Sequence, residues 1–219
     1  MLKKWTLGLI LLTTSLVSQA TLITHDVDSV DMAGISVTAF FDGGGQETLI
    51  WSALTSTLGG VDNGNWSLKL DGKTFGDYDQ STQTFFGLWV LTNNSSTQDI
   101  VGLTIDAGSQ GFYFDTISGY NPLVPVVGDG DHTPGSGPGR TFDSSDLDVT
   151  ASFSDLFSGP DLFGKLNLQW ATGESLILGE SFSFVTDTDK ATVPEPSTLF
   201  TFALGLIALT SLRKKSSGK

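Results

Sequence analysis

No cysteine occurs in the 219 residues, so disulfides, thiol nucleophiles and cysteine-ligated metals are excluded and stability has to come from packing. Histidine is nearly absent too: the two present, His25 and His132, lie far apart in the chain. A zinc site built from protein side chains draws on three or four His, Cys or carboxylate ligands in fixed geometry, and no His-Glu-x-x-His occurs, so metal-dependent hydrolysis is not expected. His132 lies near Ser136, but no Gly-x-Ser-x-Gly elbow marks a nucleophile. Asp187-Thr188-Asp189 lacks the Asp-Thr-Gly form of aspartic proteases, and neither a phosphate loop nor a dinucleotide fingerprint appears. No catalytic residue is assigned.

What is present is ordered by the two ends of the chain. Lys3 and Lys4 precede an apolar stretch from Trp5 to Val17, and Ser18-Gln19-Ala20 supplies small residues where a signal peptidase reads. Residues 1–20 therefore read as a secretory signal peptide handled by the Sec machinery, with cleavage after Ala20; a retained N-terminal anchor is the alternative. At the other end, Pro194-Glu195-Pro196 is followed by an uncharged run from Leu199 to Leu212 and then by Arg213-Lys214-Lys215. The two prolines fix φ and withhold backbone donors, so a helix can begin only beyond them, with Ser197 as N-cap. Ser197 to Leu212 is 16 residues, about 24 Å of helix against a hydrocarbon core of roughly 30 Å. So short a span suits a segment held in the membrane transiently. Basic residues at both ends place residues 21–196 outside the cytoplasm under the positive-inside rule.

That exported part holds all 24 acids against only Lys69, Lys73, Arg140, Lys165 and Lys190, a net charge of −19. Such a field disfavours nucleic acid and anionic lipid and favours solubility and cation association. Twenty of the acids are Asp and four are Glu, and Asp prefers turns to helix interiors, so acid is expected in the connections.

Between Thr21 and Lys190 no window sustains an apolar period of three to four residues, whereas β-branched and aromatic runs recur between Gly, Asn and Asp clusters. The fold class is all-β, a β-sandwich ectodomain over residues 21–190, followed by a single short C-terminal transmembrane helix within 191–219. Expected strands include Ile35 to Phe41, Thr48 to Leu54, Trp66 to Leu70, Thr84 to Thr92, Ile100 to Asp106, Gly111 to Phe114, Asp148 to Phe153, Lys165 to Trp170 and Glu180 to Thr186. In the last, alternation puts Phe182 and Phe184 on one face. Gly43-Gly44-Gly45, Gly59-Gly60, Asp62-Asn63-Gly64-Asn65 and Asn93-Asn94-Ser95-Ser96 read as turns. Asn121 to Arg140, rich in proline and glycine, reads as a long surface loop; a linker between two small domains is the alternative.

Calcium is the inorganic partner that this composition invites, because it takes six to eight oxygens from carboxylates and carbonyls. The candidate ligands are Asp187 and Asp189, ranked first because they follow an anchored strand, then Asp129 and Asp131, with Asp143 to Asp148 as a further cluster. None completes an EF-hand, and turn formation accounts for these residues without an ion. Trp51, Trp66, Trp89 and Trp170 read as core, with a sugar-stacking platform as the alternative.

The C-terminal arrangement of Pro194-Glu195-Pro196, apolar helix and basic tail resembles the PEP-CTERM sorting signal of Gram-negative bacteria. The resemblance covers about the last 27 residues and implies recognition by an exosortase, a membrane-embedded cysteine protease or transpeptidase. The mixed Arg and Lys tail followed by Ser216-Ser217-Gly218-Lys219 departs from the arginine-rich tail frequent in that family. The body also resembles ectodomains often attached to this signal, through the segment Asn93 to Asp115, the Thr133-Pro134-Gly135-Ser136 and Gly139-Arg140 loop, and Phe184 with Asp187-Thr188-Asp189. The ectodomain resemblance implies a common sandwich and no catalytic residue; the sorting resemblance implies an inner-membrane intermediate, then release to the cell surface or extracellular matrix, and with no catalytic constellation present the expected role is noncatalytic, structural or adhesive, linked to exopolysaccharide. A carbohydrate-binding module is the second reading and a secreted hydrolase the third.

Overall fold

The computed structural model describes residues 22–24, 27–74, 78–79, 84–85, 87–116, 139–144, 148–159 and 161–192. Within them the chain runs through strands β1 (Leu22–Thr24), β2 (Ser36–Phe41), β3 (Gln46–Ile50), β4 (Ser52–Ala53), β5 (Leu58–Asp62) and β6 (Trp66–Asp71). It continues through β7 (Tyr78–Asp79), β8 (Thr84–Phe85), β9 (Trp89–Asn93), β10 (Ile100–Asp106) and β11 (Phe112–Asp115). The last five are β12 (Asp143–Ser144), β13 (Val149–Ser158), β14 (Leu162–Trp170), β15 (Ser181–Val185) and β16 (Asp187–Thr192). Short 3-10 turns at Ser29–Met32 and Gly108–Gln110 are the only helical pieces among the described residues. None of those residues belongs to a helix long and apolar enough to cross a membrane, and the expected span from Leu199 to Leu212 lies outside them.

The strands form two antiparallel sheets and a small β7–β8 pair. The larger sheet has the order β1-β16-β11-β14-β10-β2-β3, with β13 pairing to β14, and the smaller β12-β15-β9-β6-β5-β4. Alternation along each strand selects the buried face: Val37, Ala39 and Phe41 on β2, Leu103 and Ile105 on β10, Leu68 and Leu70 on β6, Phe182 and Phe184 on β15. These belong to one cluster that takes residues from both sheets and from both sides of the 121–140 stretch. At its centre Trp89 stacks on Phe184, with ring centroids 5.8 Å apart and planes 14° apart. Its indole also meets Trp51 at 5.3 Å and Phe114 at 6.4 Å, while Nε1 donates to the Thr186 carbonyl at 3.3 Å.

Trp51, Trp66, Trp89 and Trp170 are all buried, so none of them forms an exposed stacking platform. Burial of an indole N–H requires an acceptor; Trp51 Nε1 donates to the Ser29 carbonyl at 2.8 Å and Trp66 Nε1 to Glu47 Oε2 at 2.8 Å.

Two expectations about local structure are corrected. Gly59-Gly60 is not a turn but the middle of β5, paired with β6 through Gly59↔Leu70 and Gly60↔Lys69. Glycine stands there because the backbone is approached closely: a Cβ on Gly59 would lie 2.2 Å from the Ser29 carbonyl oxygen and 2.6 Å from Trp51 Nε1. We expect Gly59→Ala to displace the turn at Ser29 and cost about 1–3 kcal/mol, the usual penalty of overpacking. Urea unfolding checks it, and a midpoint within error of the parent would refute the close approach. By contrast, Asp62-Asn63-Gly64-Asn65 is a turn as expected. Gly64 has φ +87°, Asp62 Oδ1 accepts its N–H at 2.9 Å, and the Lys69 ammonium and this N–H together hold the Asp62 carboxyl below its ordinary pKa.

The second correction concerns the chain after Val185. Asp187 and Asp189 follow the strand that carries Phe182 and Phe184, as expected, but that strand is not the last: they begin another, β16, which pairs with β11.

The solvent face of the larger sheet is laid out by register. Pairing of β3, β2, β10, β14 and β13 aligns Thr48, Thr38, Thr104, Asn167 and Ser152 in a row across five strands. On one side runs the row Gln46, Phe40, Gly102, Gln169 and Thr150, on the other Ile50, Ser36, Asp106, Lys165 and Ser154.

Candidate functional site

The described acids converge at one place, where β11 lies against β16. Phe112 and Phe114 of β11 point into the main core, so Asp115, next along the strand, leaves the other face. Asp187 stands directly opposite Asp115, and Asp189 opposite Tyr113, which puts Asp187 and Asp189 on the same side of their strand. One carboxylate oxygen from each of Asp115, Asp187 and Asp189 lies within 4.8 Å of the others. All three residues are fully buried.

The surrounding backbone fixes this arrangement. The Arg140 N–H donates to the Asp115 carbonyl at 3.1 Å, while the Asp187 N–H donates to the Arg140 carbonyl at 2.9 Å, so residue 140 stitches the ends of β11 and β16 together. Gly139 packs onto Asp115 so closely that a Cβ there would lie 2.1 Å from Asp115 Cγ. Asp187 Oδ1 accepts the Thr188 N–H at 2.7 Å and the Thr74 hydroxyl at 3.3 Å, and Thr74 Oγ1 also reaches the Thr188 carbonyl at 3.1 Å. Beside Asp189, Tyr113 stacks on Phe157 at 3.9 Å, and burial pushes its phenol above the ordinary pKa and keeps it neutral.

Carboxylates facing each other across a strand pair repel, and burial strengthens the repulsion by lowering the local dielectric. Among the described residues the donor set consists of hard oxygens with no nitrogen or sulfur, which suits calcium or magnesium and not zinc. Two ligands on opposite sides of a calcium ion stand about 4.6–5.2 Å apart, twice its usual oxygen distance, so oxygens within 4.8 Å of one another fit around a single ion of that size. Three carboxylates offer up to six oxygens, toward the six to eight that calcium takes.

Of the residues singled out in the sequence, Asp187 and Asp189 meet here. Asp143 and Asp148 are exposed and take no part. Asp129, Asp131, His25, His132 and Ser136 lie outside the described residues, as do Ala20, Pro194, Glu195, Pro196, Arg213, Lys214 and Lys215. Asp115 is the candidate ligand that sequence reasoning missed. The one available signal was an acid closing the strand Phe112-Tyr113-Phe114-Asp115, and it does not reveal which distant strand will lie opposite.

Neither the curated proteins nor the solved structures yield a match to this chain. Residues 192–215 match the family model of the PEP-CTERM protein-sorting motif, beginning at the residue where β16 ends, and the chain therefore carries a PEP-CTERM sorting motif at its C-terminal end.

Proposed function

We propose that this chain is exported, processed by an exosortase near Pro194-Glu195-Pro196 and delivered to the cell surface or extracellular matrix, where its body serves as a noncatalytic structural or adhesive component linked to exopolysaccharide. The observation that carries the reading is the sorting motif at residues 192–215. It supports export and sorting by an exosortase; the strongly acidic body and the absence of any catalytic signature in the sequence support the rest. A carbohydrate-binding module working through a tryptophan platform is disfavoured, because the four body tryptophans are buried.

Intact-mass analysis of the exported form tests delivery. We expect an N-terminus at Thr21, after removal of Met1 to Ala20, and a C-terminus near Pro194 to Pro196. Lys219 on the exported protein would sink the processing claim, and Met1 the signal-peptide claim.

The buried carboxylates favour a second element of this reading, a body stabilised by calcium. Asp115, Asp187 and Asp189 would hold the ion, and the ion would supply the positive charge that relieves their mutual repulsion. Closing β16 onto β11 would then depend on calcium, immediately before the sorting motif.

A further inference from the structure

Across β3, β2, β10, β14 and β13 the outer face of the larger sheet differs from the rest of this acidic body. Its three rows of five positions carry one acid, Asp106, and one base, Lys165, and these pair at 3.4 Å. Lys165 also reaches Asp155 at 2.7 Å. The middle row, Thr48–Thr38–Thr104–Asn167–Ser152, consists of hydroxyls and one amide. We propose that this face binds an uncharged polysaccharide chain laid across the strands along that row.

The row is organised before any ligand arrives. Thr38 Oγ1 and Thr48 Oγ1 share a hydrogen bond of 2.8 Å. Thr104 Oγ1 donates to Asn167 Oδ1 at 2.9 Å, and Asn167 Nδ2 donates to Ser154 Oγ at 3.2 Å. Threonine is stiff at χ1, and side chains already held by their neighbours lose little entropy on binding. Each hydroxyl can donate and accept at once, so it retains hydrogen-bonding capacity toward a ligand hydroxyl. Strands lie about 4.8 Å apart, so four steps across the row span about 19 Å and offer a polar group at each step. Alongside, Gly102 leaves room for the Phe40 ring and the Gln169 amide to lie over the sheet, with Phe40 Cδ2 3.5 Å from where a Cβ on Gly102 would stand. Phe40 is 36% exposed and offers an apolar edge to the C–H groups of a sugar.

Charge selects the class of partner. The exported region carries −19, which repels polyanions and also a second copy of the chain, whereas a neutral polyhydroxyl chain meets no such barrier. This inference rests on the matrix reading for its setting and adds the face and the ligand class.

The test is affinity electrophoresis of the exported, processed protein through native gels containing dextran, mixed-linkage β-glucan or galactomannan, with alginate as the polyanionic control. We expect at least one neutral polymer to retard the protein, and Thr38→Val with Thr104→Val, which keeps β-branching and shape but removes two hydroxyls, to weaken retardation at least tenfold with an unchanged melting temperature. If the pair of substitutions unfolds the protein, Gln169→Glu and Thr150→Glu, which place charge at the rim, must weaken retardation instead. The proposal is overturned if no neutral polymer retards the protein, if folded variants are retarded equally, if alginate alone does so, or if sedimentation shows a dimer that the variants abolish. A protein correctly processed at both ends yet retarded by none of the neutral polymers loses this inference and keeps the reading of its delivery.

Discussion

Calcium at one hundred times its dissociation constant is expected to stabilise the body by about 2.7 kcal/mol, by mass action on the folded form alone. For a domain of this size, each kcal/mol shifts the melting temperature by about 2–4 °C, so the expected rise is roughly 5–10 °C. Asp115, Asp187 and Asp189 are fully buried with carboxylate oxygens within 4.8 Å, and an ion binding among them replaces repulsion with attraction. General screening by salt also relieves repulsion within residues 21–196, which carry −19, so the comparison belongs at constant ionic strength. Magnesium is the control, because it demands near-ideal octahedral geometry and gives up water reluctantly. Asp187→Asn with Asp189→Asn should abolish the response, since two of the three carboxylates that would hold the ion have been removed. Equal melting temperatures in calcium and magnesium, or an undiminished calcium response in the double variant, would refute the site.

Trp89→Ala should cost about 3–5 kcal/mol, the usual loss for a large buried aromatic, a substantial part of a typical folding free energy of about 5–15 kcal/mol. Trp89 lies at the centre of the aromatic core, against Phe184 of its own sheet, Trp51 between the two sheets' strands β3 and β4, and Phe114 of the larger sheet. Its truncation opens a cavity that neighbours from two sheets cannot jointly fill. Trp89→Phe separates two contributions: it keeps an aromatic ring but removes the hydrogen bond from Nε1 to the Thr186 carbonyl. Thr186 immediately precedes Asp187, so Trp89→Phe should weaken the calcium-dependent rise in melting temperature more than its effect on stability alone would require. Urea unfolding with and without calcium measures both. A loss below about 1 kcal/mol for Trp89→Ala would mean that the central packing is misassigned.

Much of this molecule is local enough to read along the chain. Alternation in Ser181 to Val185 places Phe182 and Phe184 in the core because successive side chains on a strand leave opposite faces, and the structure buries both. The turn at Asp62 to Asn65 is equally legible, since its hydrogen bonds close within three residues. The sorting motif is a linear pattern of proline, acid, apolar run and base, recognisable without any fold. Only the tertiary structure joins Asp115 to Asp187 and Asp189, because which strands pair depends on how the whole sheet assembles. The same limit explains β5: Gly59-Gly60 has the composition of a turn, and only the approach of the Ser29 carbonyl and the Trp51 indole shows why a strand needs glycine there. It explains the neutral face as well, since Thr38, Thr48, Thr104, Asn167 and Ser152 are scattered in sequence and become a row only through the register of five strands. Composition and short-range pattern thus determined the all-β class, the acidity and the sorting motif at residues 192–215. The pairing of distant strands decided which polar groups are buried together and which are displayed together, because hydrogen-bond registry between strands is a property of the assembled sheet and not of any one segment.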